Sequence, residues 1–268
     1  ENHLIDRYAI SYSAGVSIFL ELSNDFFQND KGDNWAGFAP SYEDDLRLFS
    51  NQDEVRSIAD EIGGESFLGE FATRDNYLKN NRSYKILHLA THAEIDNKNP
   101  LYNKLIFADG GLTASDIYLS DTRAEMAVLS ACNTGFGKLE KGEGVMSMAR
   151  AFHFSGVPSV VMSLWKVPDG STKQIMRLFY KYLGEGNSKS VALQKAKLGY
   201  LSATSDSALR HPYYWAGFVI NGNTEALDLK TSNLPLLFGI SGLVLILILV
   251  GFVSRKTRKR TNSSEKMR

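Results

Sequence analysis

Cys132 closes the apolar run Ala127-Val128-Leu129-Ser130-Ala131 and is followed by Asn133-Thr134-Gly135. Forty residues upstream, His92 ends a second run, Ile86-Leu87-His88-Leu89-Ala90-Thr91. Cys132 is the only cysteine in the chain. It has no partner for an intramolecular disulfide, and a single thiol makes a poor zinc site. A thiol and an imidazole at the tips of two buried strands are the parts of a nucleophile and its general base. The thiolate is the reactive form, and a nearby imidazole raises its population. The bland alternative for Cys132 is a small buried core residue, the common fate of a free cysteine. Its place before Asn-Thr-Gly favours a loop.

His92 takes the role of base and then of the acid that protonates a leaving amine. His88 is its rival. On one continuous strand the two would share a face, with His88 more than one strand repeat deeper. His88 therefore reads as a satisfied core histidine.

The elements around this pair follow from periodicity. Residues 84–90, 124–130 and 159–165 are continuous apolar runs, as expected of strands buried on both faces of a parallel sheet. Helical patterns fall at 113–119, 144–154, 171–183 and 188–201. The amino-terminal half reads as a strand at 8–12, a helix at 17–27 and a strand at 35–38. A helix at 52–62 ends at Gly63-Gly64, a strand covers 66–68, and Thr73 caps a helix over 74–80. A strand at 105–107 enters a turn at Asp109-Gly110-Gly111, and 215–220 supplies the last strand. Alternating strands and helices predict an α/β layer fold. Ligands in such folds bind at the carboxyl ends of the strands, where His92 and Cys132 fall.

Composition narrows the function. The chain has 268 residues, room for one sizeable domain and an appendage. It opens on Glu1 rather than Met, which reads as a fragment or a processed product. Formal net charge is zero, but the tail 254–268 holds seven basic residues against one acid, Glu265. The remainder carries 23 basic and 29 acidic residues. An acidic globular part lacks the basic face that nucleic acid requires. The five histidines are scattered and the acids show no ligand spacing, so no metal site and no cofactor are expected. Gly142-x-Gly144 lacks the third glycine of a dinucleotide fingerprint.

Five ordered motifs sharpen the reading. They are Leu129-Ser130-Ala131-Cys132-Asn133-Thr134-Gly135, Gly142-Glu143-Gly144-Val145, Ala149-Arg150-Ala151-Phe152, Ser163-Leu164-Trp165-Lys166-Val167-Pro168-Asp169 and His211-Pro212-Tyr213-Tyr214-Trp215-Ala216-Gly217-Phe218. Together, over about residues 4–222, they resemble the CHAT domain, a caspase-like group within clan CD cysteine peptidases that often follows tetratricopeptide repeats. In caspases the histidine precedes the cysteine by about fifty residues. The resemblance implies a three-layer α/β/α fold with a mostly parallel sheet and a cysteine endopeptidase acting on protein or peptide. It also implies a tetratricopeptide-type regulatory region or partner. The clan's histidine matches the second of the pair, His92, after Thr91. The clan usually places Gly next, and its backbone N–H joins that of the nucleophile in the oxyanion hole. Here those groups belong to Ala93 and Cys132, and Ala keeps the N–H. The segment Trp165 to Asp169 resembles a Trp-x-Val-x-Asp stretch of separase that supplies an acid for a basic P1 side chain. This implies that Asp169 binds P1 Lys or Arg; the equal alternative is a helix N-cap for residues 171–183. Glu143 reads as a first-turn acid of its helix. Trp165, Trp215, Tyr213 and Tyr214 read as core or pocket wall. Two rivals stay open: a catalytically silent scaffold in a membrane signalling complex, and an acyl-transferring enzyme on the same dyad.

After a linker at 223–233, residues 234–253 pass without a charge, about the length a helix needs to cross a bilayer. Pro235 sits where its missing N–H costs little. The cluster Arg255-Lys256-Thr257-Arg258-Lys259-Arg260 follows at once. The positive-inside rule then predicts a single-pass membrane protein with a cytoplasmic tail, the domain 1–222 lying on the outer side. The opposing topology is a tail anchor with the domain in the cytoplasm.

Overall fold

A computed structural model of the chain describes residues 3–13, 33–43, 48–96, 98–130 and 143–229, with 143–147 as backbone only. Residues 1–230 form one compact unit and 231–268 a second. The second unit lies outside the described residues, as do the helix expected at 17–27, the span at 234–253 and the basic tail. Among the described residues no helix is long and apolar enough to cross a membrane.

In chain order the elements are β1 (Asp33–Ala39), α1 (Asn51–Ile62), β2 (Glu65–Leu68), α2 (Arg74–Asn80), β3 (Tyr84–Leu89) and β4 (His92–Glu94). There follow β5 (Lys104–Phe107), β6 (Gly110–Thr113), α3 (Ala114–Tyr118), β7 (Met126–Leu129), α4 (Glu143–Phe154) and β8 (Ser159–Ser163). The last are α5 (Asp169–Gly184), α6 (Lys189–Ala203) and β9 (Phe218–Gly222). Local chemistry sets several of these bounds. The Thr73 side chain accepts from Asn76 N–H at 3.0 Å and starts α2. Thr113 and Asp116 cap α3 reciprocally, each accepting from the other's backbone. Gly63 ends α1 at φ 73°, a conformation an L side chain rarely adopts.

Six strands form the main sheet in the order β2-β1-β3-β7-β8-β9. All neighbours run parallel except β8 and β9. Every residue of β3, β7 and β8 is buried, which explains why apolar residues face both sides of these strands. Side chains leave the sheet alternately on its two faces. Trp35, Ile86, Val128, Val161 and Phe218 pack with α1, α5 and α6 in one apolar cluster. Phe38, Leu87, Leu89, Leu129 and Met162 pack with α4 and parts of α2 and α3 in the other. The expected α/β architecture with a mostly parallel sheet is therefore present.

Two expected strands are corrected. Residues 8–12 make only a single parallel bridge, Tyr12 to Asn221, and Tyr8, Ile10 and Tyr12 remain exposed. Among the described residues their alternate apolar pattern meets no second strand on the far side. The last strand begins at Phe218 rather than 215, because Pro212–Tyr214 form a 3-10 turn first. The Trp215 indole N–H is used in closing that turn, donating to Arg210 O at 3.0 Å.

A separate three-stranded antiparallel sheet, β4-β5-β6, also emerges. Its first strand contains His92. The chain therefore leaves the main sheet after Leu89, and His88 and His92 do not lie on one continuous strand.

Candidate active site at the carboxyl edge of the sheet

Strand order reverses beside β1: β2 lies on one side of it and β3 on the other. A crevice forms at such a switch point, outside the carboxyl ends of the strands. Asn51, at the start of α1, closes its floor. The Asn51 amide donates to Pro40 O at 2.9 Å and to Ala90 O at 3.3 Å, joining the two strand ends. Asn51 is itself buried, so this placement is fixed by polar groups that have exchanged water for each other.

His92 sits three residues past the end of β3 and is 4% exposed. Tyr42, from the chain after β1, holds it twice. The two rings lie 4.4 Å apart at 54°. The Tyr42 hydroxyl accepts from His92 N–H at 2.9 Å and donates to Ile106 O at 2.7 Å. Burial pushes the Tyr42 phenol well above its usual range, so it stays a neutral donor. Ala93 follows within β4, paired with Leu105, and its methyl is buried in an apolar cluster.

His88 is a core residue. Its Nε2 lies 2.9 Å from Glu54 Oε1 and its Nδ1 3.0 Å from the Tyr180 hydroxyl. Glu54 is itself buried, and Trp35 flanks the imidazole.

Cys132 lies outside the described residues. The strand that leads to it is described. Leu129 of β7 pairs with Leu89 of β3, and Ser130 N–H donates to Leu89 O at 3.3 Å. Ser130 is 2% exposed, and its hydroxyl has no hydrogen-bond partner among the described residues.

Ser130 also lines a pocket with Asn51, Glu54, Ser163, Lys166 and Asp169. Asp169 thus joins the crevice, but it is not the N-cap expected from sequence. Pro168 occupies that position and α5 begins at Asp169. There the carboxylate sits in the first turn, favoured by the helix dipole, and accepts from Phe49 N–H at 3.3 Å. Lys166 lines the same pocket and is exposed, so the pocket carries both signs of charge. Trp165 and Trp215 do not line this pocket: Trp215 is buried in the apolar core and Trp165 packs against it, its indole donating to Tyr213 O at 2.8 Å. Gly217 is needed between the two motifs, since a Cβ there would meet Ser163 Oγ at 2.8 Å and Trp165 at 3.0 Å. Among the described residues no group of acids and histidines is placed to hold a metal. The Glu143 side chain lies outside the described atoms.

Sequence reasoning missed Tyr42, Asn51 and Glu54. Asn51 carries a weak signal, a polar residue opening an amphipathic helix. Tyr42 carries none, because its partners His92 and Ile106 are distant in sequence.

A model of the family described as the CHAT domain matches residues 1–223. Tetratricopeptide repeat protein 28 of Homo sapiens is 24% identical over 261 residues, covering 83% of this chain and 10% of that protein. Its Mus musculus counterpart is 23% identical over the same shares. The chain thus spans about a tenth of the length of the curated relatives it matches. Among solved structures, the Saccharomyces cerevisiae separase–securin complex is similar at TM-score 0.56 and 17% identity, over 82% of this chain and 14% of that one. The Arg-specific cysteine proteinase gingipain R is similar at TM-score 0.51 and 9% identity, over 80% and 52%. At these identities the likeness is one of fold, a caspase-like α/β domain.

Proposed function

Because the chain belongs to the CHAT domain family, we propose that it is a caspase-like cysteine endopeptidase with Cys132 as nucleophile and His92 as base. One observation carries this reading. Leu89 and Leu129 are register partners on adjacent parallel strands, and His92 and Cys132 each follow their leucine by three positions. Two strands that end side by side, each followed at the same spacing by one member of the pair, support their meeting at the crevice that Tyr42 and Asn51 order.

The chemistry follows from the groups. His92 takes the thiol proton, and the Cys132 sulfur attacks the scissile carbonyl. The carbonyl oxygen gains the negative charge and is received by the backbone N–H groups of Ala93 and Cys132. The C–N bond then breaks, and His92 returns its proton to the departing amine. Water, deprotonated by the same imidazole, hydrolyses the thioester and restores the thiol. Asp169 offers a charge-assisted partner to a Lys or Arg at P1. The test is labelling of the full chain by a peptide acyloxymethyl ketone carrying P1 Arg. Wild type labels, and Cys132→Ala and His92→Ala do not. Equal labelling of Cys132→Ala would sink the proposal.

Residues 234–253 anchor the domain to a membrane in this reading, with the basic tail in the cytoplasm and the domain on the far side. Protease treatment of sealed vesicles with an epitope at each end decides the orientation. Exposure of the epitope after Arg268 on the cell's outer surface would reverse it. The relatives named for tetratricopeptide repeats support regulation by such a region.

A further inference from the structure

One face of α6 buries Leu193, Ala196, Tyr200 and Leu201 against the domain. Lys197 shares that depth at 8% exposed. Among the described residues its ammonium makes no hydrogen bond and no ion pair, and no neighbouring charge acts on it. Burial alone pushes the Lys197 ammonium down to about 8. Lys189, about two turns earlier on the same helix, shows what a structural lysine looks like here. It donates to Asn223 Oδ1 at 3.1 Å and lies in the field of Glu125 and Glu225.

A buried cation without an anion is costly, and proteins retain one where something neutralises it. Lys197 lines a cavity of about 370 Å³. This lies within the usual range of small-molecule sites, roughly 300–1,000 Å³. Its walls are apolar: Ile5, Ile10, Leu193, Trp165 and Trp215 among them. Among the described residues no Asp or Glu lines it, and its other titratable residues are His3, Tyr8 and Tyr12. The amino-terminal segment of the same chain closes one side. It is tied to α6 by Gln194 Nε2 donating to Ile5 O at 2.6 Å, and to β9 by Tyr12. A recess closed by its own chain suits a small molecule better than an extended peptide.

We propose that this cavity binds a small amphipathic carboxylate, with the anionic head on Lys197 and an apolar body between Trp165, Trp215 and the amino-terminal turn. Nothing in this site uses Cys132 or His92.

Tryptophan emission of the full chain, excited at its red edge, reads binding, since two of the three tryptophans line the cavity. The probes are 3-phenylpropanoate and octanoate, with 3-phenylpropanol as uncharged control and 3-phenylpropylammonium as cationic control. The carboxylates are expected to saturate the signal at least tenfold more tightly than the alcohol, and the ammonium not at all. Lys197→Met, which keeps the stem and removes the charge, lowers carboxylate affinity to that of the alcohol and leaves alcohol binding unchanged. Retained alcohol binding shows that the variant is folded, and Lys197→Arg keeps the carboxylate preference. Three results would each overturn the proposal: no saturable carboxylate binding up to millimolar concentration, equal affinity for acid and alcohol in wild type, or unchanged affinity in Lys197→Met. Lys197-dependent capture of an acidic apolar peptide with no binding of either carboxylate would assign the cavity to a protein partner and overturn it as well.

Discussion

His88 and His92 are four residues apart and both buried, yet they occupy different mechanical settings. His88 lies inside β3, with a carboxylate on one ring nitrogen and a phenol on the other. His92 lies past the strand, in another sheet, where Tyr42 holds its backbone and faces its ring. The first imidazole is consumed in holding α1 and α5 to the sheet. The second is held at the crevice by a neighbour that is not an acid. Burial alone does not separate a structural histidine from a proposed general base; position along the strand and the identity of the partner do.

Mutation can break this contrast. The largest effect is expected at the proposed dyad. His92→Ala and Cys132→Ala each lower peptide turnover by about a thousandfold or more, since a nucleophile and its base act as a unit. Their thermal unfolding midpoints stay near that of wild type. Turnover retained in His92→Ala and lost in His88→Ala would show that the two roles have been exchanged.

His88→Ala is expected to do the reverse. It leaves the Glu54 carboxylate buried without its partner, at a cost of roughly 3–5 kcal/mol in denaturant unfolding. Turnover per folded molecule is kept. Replacing Glu54 by Gln in the same chain should recover part of the loss, because the stranded charge is gone. An unrecovered double variant would mean that packing rather than charge sets the cost.

Tyr42→Phe sharpens the comparison from the other side. It keeps the ring and removes the hydroxyl between His92 N–H and Ile106 O. A loss of about 1–2 kcal/mol in stability is expected, with about a tenfold fall in kcat and little change in KM. A change confined to KM would place Tyr42 in substrate binding instead.

The smallest effect belongs to Asp169. Asp169→Ala should lower kcat/KM several-fold for substrates with P1 Arg and leave those with P1 Ala unchanged, because the carboxylate is only partly buried. A positional-scanning peptide library measures this. A pattern identical to wild type would leave Asp169 with its helix and its bond to Phe49.

Much of this arrangement was legible before any coordinates. The runs that became β3, β7 and β8 carry apolar residues on both faces, with Lys85, His88, Ser159 and Ser163 as the polar exceptions, the pattern of strands in a sheet covered on both sides. Thr73 announces its helix by a hydroxyl that accepts from the first turn, whereas Thr113, read as the first helical residue, turns out to be the cap. Other features had no local cause. β4 is three residues long and β6 opens with two glycines, so neither carries a periodic pattern; they exist because β5 lies between them. The run that ends at His92 read as one strand because Ala90-Thr91 are as apolar and compact as the strand before them. The break is made by pairing, since Glu94 finds Lys104 across the small sheet, with their side chains 2.8 Å apart. The N-cap alternative for Asp169 misses by one helical position because Pro168 is a helix opener as readily as a neighbour of one.

The single rung at Tyr12 has a consequence for load. Tyr12 N–H donates to Ile220 O at 2.7 Å, and Gly222 N–H to Tyr12 O at 3.0 Å. The amino-terminal segment and β9 run in the same direction there. A pull between residues before Tyr12 and residues after Gly222 therefore strains both bonds together, along the strands, instead of peeling them one by one. Tension entering the domain from its two flanks would meet this rung in shear at the sheet's rim, before reaching the strands that carry the crevice.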